Sequence, residues 1–183
     1  MNILLFGISN VGKTAIGKIM AQKLNYDFYD IDDEVKQYYG YKNMDEFIHK
    51  NGYVVERDQK RSYIIGLVVK KDGNKVIAVP PIYYTRYCMN SLKKVSAEVI
   101  KIEIQDTPEN IFNRLIFADD NDQLYHDDEY KNAHKSYYLK QIKQDISGYK
   151  VAFSKIENKI DITGRNAEEA ANYIISMMNF NER

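Results

Sequence analysis

Gly7-Ile8-Ser9-Asn10-Val11-Gly12-Lys13-Thr14 is the stretch on which the reading of this chain turns. It fits the pattern G-x-x-x-x-G-K-[ST] at every fixed position. Gly7 and Gly12 admit backbone angles that a Cβ would forbid, so the chain can wrap closely around an anion. Successive amides then point inward, and the helix opening near Lys13 adds the positive end of its dipole. Lys13 can reach the terminal phosphate oxygens of a nucleotide, and the Thr14 hydroxyl is placed as a ligand for Mg²⁺. The expected ligands are therefore ATP and Mg²⁺. The expected nucleotide contacts are Gly7, Asn10, Val11, Gly12, Lys13, Thr14 and Ala15, with Lys13 also counted as catalytic.

Both flanks of the loop support that reading. Asn2–Phe6 is an apolar run that reads as a buried strand, and Lys13–Leu24 carries Ile16, Ile19, Met20 and Leu24 at helical spacing. Further out, Tyr26–Tyr29 reads as a strand and Asp32–Tyr39 as a helix. Met44–Lys50 and Val54–Lys70 read as two more helices. Lys71-Asp72-Gly73-Asn74 marks a turn before a third strand, Lys75–Val79, which Pro80 and Pro81 stop. A helix near Thr85–Val95 precedes a fourth strand, Val99–Ile104. Thr107-Pro108-Glu109 is a helix start with proline in the first turn. The acidic stretch Asp119–Asp128 reads as loop, Glu129–Ser147 as one polar helix, Lys159–Thr163 as a fifth strand and Asn166–Met178 as a closing helix. Strands separated by helices imply an α/β fold whose parallel sheet is covered on both faces. A length of 183 residues suits one domain, 1–183.

Composition removes several function classes. Twenty-six basic residues balance twenty-six acidic ones, so no global field favours nucleic acid or an anionic membrane. Cys88 is the only cysteine, which excludes an internal disulfide and any multi-cysteine metal site. His49, His126 and His134 are scattered without metal-ligand spacing. The opening apolar run is too short for a signal core, and no stretch approaches a bilayer span. A cytoplasmic monomer with a small-molecule partner is expected, with no nucleic-acid or membrane partner.

The second strand ends in Asp30-Ile31-Asp32-Asp33. In an open parallel sheet, that end borders the ligand crevice beside the phosphate loop. Strand alternation would point Asp30 and Asp32 the same way, one toward a metal and one toward a substrate hydroxyl. The competing reading has Asp32 or Asp33 merely capping the next helix.

At these residues the chain resembles the shikimate kinases. The resemblance runs from the phosphate loop through Ala21-Gln22-Lys23-Leu24-Asn25-Tyr26-Asp27-Phe28-Tyr29-Asp30-Ile31-Asp32. It continues in Gly52-Tyr53-Val54-Val55-Glu56-Arg57, Pro108-Glu109-Asn110-Ile111-Phe112-Asn113-Arg114 and Asp161-Ile162-Thr163-Gly164-Arg165-Asn166. It implies a three-layer P-loop fold with strand order 2-3-1-4-5, an acceptor-binding region near 32–62 and a lid near 115–128. It also implies phosphoryl transfer from ATP to a hydroxyl of shikimate, a step in aromatic amino-acid biosynthesis. Mg²⁺ would lie at Thr14 and Asp30. Asp32 would hold and activate the acceptor, Arg57 would pair with its carboxylate, and Arg114 and Arg165 would flank the adenine.

The acceptor side departs from the family pattern. Val79-Pro80-Pro81-Ile82 stands where the family has a glycine triplet, and proline has no amide hydrogen to offer. Residues 115–164 contain no arginine, so a lid arginine and a second acceptor-binding arginine are missing. Glu56 replaces an aromatic and Lys60 a glutamate. Arg61 lies one helical turn past Arg57 on the same face; it is expected at the surface, the alternative being that it supplements the anion site. Two other readings stay open on these grounds: an ATP-binding relative without efficient transfer, and a kinase of a different small acidic acceptor.

Overall fold

A computed structural model describes residues 1–96 and 98–180. In chain order the elements are β1 (Asn2–Phe6), α1 (Lys13–Leu24), β2 (Asp27–Asp30), α2 (Ile31–Tyr39), α3 (Met44–Lys50), α4 (Val54–Lys70), β3 (Lys75–Ala78) and α5 (Thr85–Leu92). They continue with β4 (Val99–Gln105), α6 (Pro108–Asn113), β5 (Phe117–Ala118), β6 (Leu124–Tyr125), α7 (Asp128–Ala133), α8 (Lys135–Ala152), β7 (Asn158–Asp161) and α9 (Ala167–Met177).

Five strands form one parallel sheet in the order β2-β3-β1-β4-β7. This is the expected order, with the fifth sheet strand numbered seventh because β5 and β6 intervene as a separate antiparallel pair. β1 is central and buried at all five positions, as a strand covered on both faces must be. Its side chains Ile3 to Phe6 join Ile16 and Met20 of α1, Ile64 and Ile65 of α4, and Ile174 of α9 in the core. The turn before β3 closes on a buried lysine: Lys75 Nζ donates to the carbonyls of Lys71 and Gly73 at 2.5 and 2.7 Å.

Three sequence expectations are corrected. The polar helix expected over Glu129–Ser147 is two helices. Asp127 caps the first by accepting from the Tyr130 amide at 2.9 Å, and His134, at φ −108 and ψ 19, breaks the run. The second helix runs past Gly148 to Ala152, because Tyr149 and Phe153 stack with centroids 5.4 Å apart and Phe153 packs on Phe6. The acidic stretch is not all loop either. Phe117↔Tyr125 and Ala118↔Leu124 pair as a hairpin, with Asp119 accepting from the amides of Asn121 and Gln123 to close its turn.

Candidate active site

The phosphate loop takes the shape its glycines permit. Gly7 and Gly12 have φ of 143 and 109, and a Cβ on Gly7 would meet the Ile104 carbonyl oxygen at 2.7 Å. Asn10, at φ 60, takes the left-handed region that asparagine tolerates. Gly12 is the N-cap of α1, so the helix's unpaired amides face into the loop. Lys13 is buried, and its Nζ donates to the carbonyls of Gly7 and Ile8 at 2.9 and 2.7 Å. Burial pushes its ammonium down to about 8, against the pull of Asp30 and Asp32.

Beside the loop, β2 delivers Asp30. Its Oδ2 accepts from Thr14 Oγ1 at 2.7 Å, and its Oδ1 accepts from the Asp32 amide at 3.1 Å. Asp30 is therefore the N-cap of α2, so the capping residue is neither Asp32 nor Asp33. The cap fixes the carboxylate and leaves Oδ2 toward Thr14. These two hard oxygen donors are the kind that Mg²⁺ takes, usually together with waters and phosphate oxygens. Asp32 reaches the same crevice from the first turn of α2, not from strand alternation as expected. Burial raises its pKa, opposed chiefly by the Arg61 guanidinium.

The surface position expected for Arg61 is corrected. Its side chain is 13% exposed, and its Nε and Nη2 lie 3.0 and 2.9 Å from Asp32 Oδ1. Its guanidinium carbon stands 5.3 Å from the centre of the buried Phe47 ring. Arg57, one turn earlier, is half-buried and spends Nη1 on the carbonyls of Asn51 and Gly52 at 2.8 and 3.1 Å. Its Nε and Nη2 make no hydrogen bond among the described residues, which leaves one guanidinium edge available.

Asp58 was not foreseen. It is 1% exposed, and its Oδ2 accepts from the amides of Tyr83 and Tyr84 at 2.9 and 2.8 Å. Pro80 and Pro81 can offer no amide, and those of Tyr83 and Tyr84 are taken by this internal carboxylate. The segment that would face an acceptor is thus held down against α4. A signal was present: Asp58 falls at a core position of α4, in line with Ser62 and Ile65. Lys60 turns elsewhere, donating to the Tyr41 hydroxyl at 2.9 Å. Tyr83 and Tyr84 pack edge to face, and Tyr83 packs likewise on Tyr149 of α8.

On the other side of the loop, Arg114 and Arg165 line one cavity of about 310 Å³ with Val11, Gly12, Ala15 and Asn166. Arg114 is ion-paired to Asp106, whose side chain is fully buried. Arg165 lies over the Tyr173 ring, 3.9 Å from its centre. The two arginines expected near the adenine thus share a single pocket beside the phosphate loop.

The β5–β6 hairpin reaches back to α2 and α3. Asp122 accepts from Lys36 Nζ at 2.8 Å and from the Met44 amide at 3.1 and 3.2 Å, while Asn43 donates to the Asp120 carbonyl. The acidic tip therefore docks on the first turn of α3 and on α2.

Comparison with known proteins agrees with this geometry. A family model described as shikimate kinase matches residues 9–179. The chain belongs to the shikimate kinase family. A shikimate kinase of Bacillus licheniformis is 26% identical over 178 residues, covering 97% of this chain and 93% of that protein. One from a Sulfurihydrogenibium species is 40% identical over 77 residues, covering 39% and 46%. Among solved structures, shikimate kinase from Acinetobacter baumannii in complex with shikimate superimposes with TM-score 0.75 at 16% identity, covering 99% of this chain and 94% of that one. The Aquifex aeolicus shikimate kinase does so with TM-score 0.70 at 20% identity, covering 100% and 98%. At those identities the structural likeness speaks for the fold. Membership in the family rests on the sequence match along the chain. Among the described residues, no helix is long and apolar enough to cross a membrane, and no cluster of three His, Cys, Asp or Glu side chains could hold a metal ion.

Proposed function

We propose that this chain transfers the γ-phosphoryl group of ATP to a hydroxyl of shikimate. The observation that carries the reading is the convergence of Lys13, Thr14, Asp30 and Asp32 on one crevice, within a chain of this family. Arg114 and Arg165 would hold the adenine between them, and the amides of residues 8–14 with Lys13 would hold the phosphates. Thr14 and Asp30 would hold Mg²⁺, which when bound neutralises phosphate charge.

Asp32 would accept the proton of the attacking hydroxyl, since its Oδ2 makes no hydrogen bond among the described residues. The free edge of Arg57 would pair with the shikimate carboxylate, because a guanidinium fork matches two carboxylate oxygens. Lys13 would stabilise charge on the transferring group, with no arginine in residues 115–164 to share that role. Residues 32–62 would form the acceptor side, and residues 115–128 the lid that excludes water.

The test is a coupled ADP-release assay with Mg²⁺, ATP and shikimate, run beside the Lys13→Met variant. Turnover that depends on shikimate and is lost in the variant supports the reading. No turnover at millimolar shikimate contradicts it.

A further inference from the structure

Within the crevice, the contact between α4 and α2 has a geometry that stability alone does not require. Arg61 directs both Nε and Nη2 to the same oxygen, Asp32 Oδ1, at 3.0 and 2.9 Å. An arginine seated for the strongest ion pair spreads its fork across both carboxylate oxygens. Here the second oxygen is left to the crevice, and the Asp32 side chain keeps 30% of its exposure while Arg61 keeps 13%. Arg61 cannot easily swing away, because the buried Phe47 ring backs its guanidinium and α4 carries its stem.

Resting on the phosphotransfer reading above, we propose that Arg61 is a positioning residue. It clamps one oxygen of Asp32 so that the other is presented, in a fixed rotamer, to the acceptor hydroxyl. Arg57 and Arg61 then divide the work of one helix face. Arg57 meets the acceptor's anionic group, and Arg61 acts only through Asp32. The charged groups that act on Asp32 are Arg61, Asp30 and Lys13, and of these Arg61 alone is hydrogen-bonded to its side chain. Arg61 in turn faces Asp58 of its own helix and Tyr149 of α8.

A double-mutant cycle tests this in the same coupled assay. Arg61→Met lowers kcat about tenfold to hundredfold, the scale of one lost charged hydrogen bond, and leaves KM for ATP within about twofold. Arg61→Lys recovers only part of the loss, because a single ammonium cannot reproduce two convergent N–H groups. In an Asp32→Asn background, Arg61→Met costs less than about twofold, since the group it positions is already disabled. An equal loss in both backgrounds overturns the proposal. So does a change confined to KM for shikimate, which would make Arg61 an anion contact. If Arg61→Met does not fold, Arg61→Lys decides alone: full wild-type kcat in that variant contradicts the clamp. A crystal structure of Arg61→Lys gives a readout without turnover. Asp32 in another rotamer supports the proposal, and Asp32 unmoved overturns it. Failure of the wild-type chain to turn over shikimate would strike the proposed function, while the Asp32 rotamer would still decide the role of Arg61.

Discussion

Asp122, at the turn of the β5–β6 hairpin, lies 2.8 Å from Lys36 Nζ of α2. The same carboxylate accepts from the Met44 amide in the first turn of α3, where an anion is also favoured by the helix dipole. Asp122 sits at φ 58, in the left-handed region, which aims its side chain away from the hairpin and toward these donors. The pair is 21% and 25% exposed, so salt screens it less than a pair at the open surface.

Asp122→Ala should therefore free the hairpin without unfolding the domain. The ion pair with Lys36 and the bond from the Met44 amide are both lost, which corresponds to at least about a tenfold rise in local opening. Hydrogen exchange read at the Met44 amide and across residues 117–125 checks this, with amides of β1 as the internal control. Unchanged protection at Met44 would show that the hairpin is held by something else.

The buried carboxylate of Asp58 makes a second prediction. Burial raises its pKa, and the amides of Tyr84 and Tyr83 with the Arg61 charge oppose that rise. Asp58→Ala removes a buried side chain and leaves two part-buried amides without their acceptor, at a cost of about 1–3 kcal/mol in all. Urea unfolding should show a lower midpoint with an unchanged m-value. A midpoint within error of the wild type would mean that the segment after Pro81 is not anchored through Asp58.

Acid stability should report on Asp106. Its carboxyl is buried, which by itself raises the pKa. The bonds from Arg114, Asn110 and the Thr107 amide outweigh that and hold it below the usual carboxylate range. A depressed folded-state pKa contributes stability that is present above the unfolded value of about 3.9 and is lost as pH falls through the lower folded value. Asp106→Asn should thus be less stable than wild type at pH 7, with the gap shrinking below about pH 4. Urea midpoints measured from pH 7 down to pH 3 check the trend. A gap independent of pH would contradict it. Because Asp106 steadies Arg114, the variant should also raise KM for ATP.

Cys88 lies in the core, where burial pushes its thiol up to about 12. A raised pKa keeps it protonated, so whatever Cys88 adds to stability is intact below the unfolded value and fades only as pH climbs toward the folded one. Iodoacetamide at pH 8 should label it only in denaturant; rapid labelling of the folded chain would contradict its placement.

The legible parts of this molecule are those in which neighbours along the chain are also neighbours in space. Residues 2–24 contain a strand, a loop and a helix whose residue types each satisfy a local backbone demand, and the structure has all three where the pattern placed them. The corrections fall where a tertiary partner decides. Arg61 and Arg57 share a helix face, and only the position of α2 draws Arg61 rather than Arg57 onto Asp32. Asp32 and Asp33 read as the candidate caps of α2, yet the cap is Asp30, the last residue of β2. Two-residue strands such as β5 and β6 are too short for any period-2 pattern, and their pairing rests on Asp119 folding the turn. The break at His134 carries neither Gly nor Pro, so nothing local announces it.

The most direct measurement is ³¹P NMR of wild-type protein incubated with ATP, Mg²⁺ and shikimate. The account predicts a new phosphate-monoester resonance growing in step with ADP, and neither of them growing with Asp32→Asn. ADP appearing with inorganic phosphate alone, or ATP left intact, would contradict it.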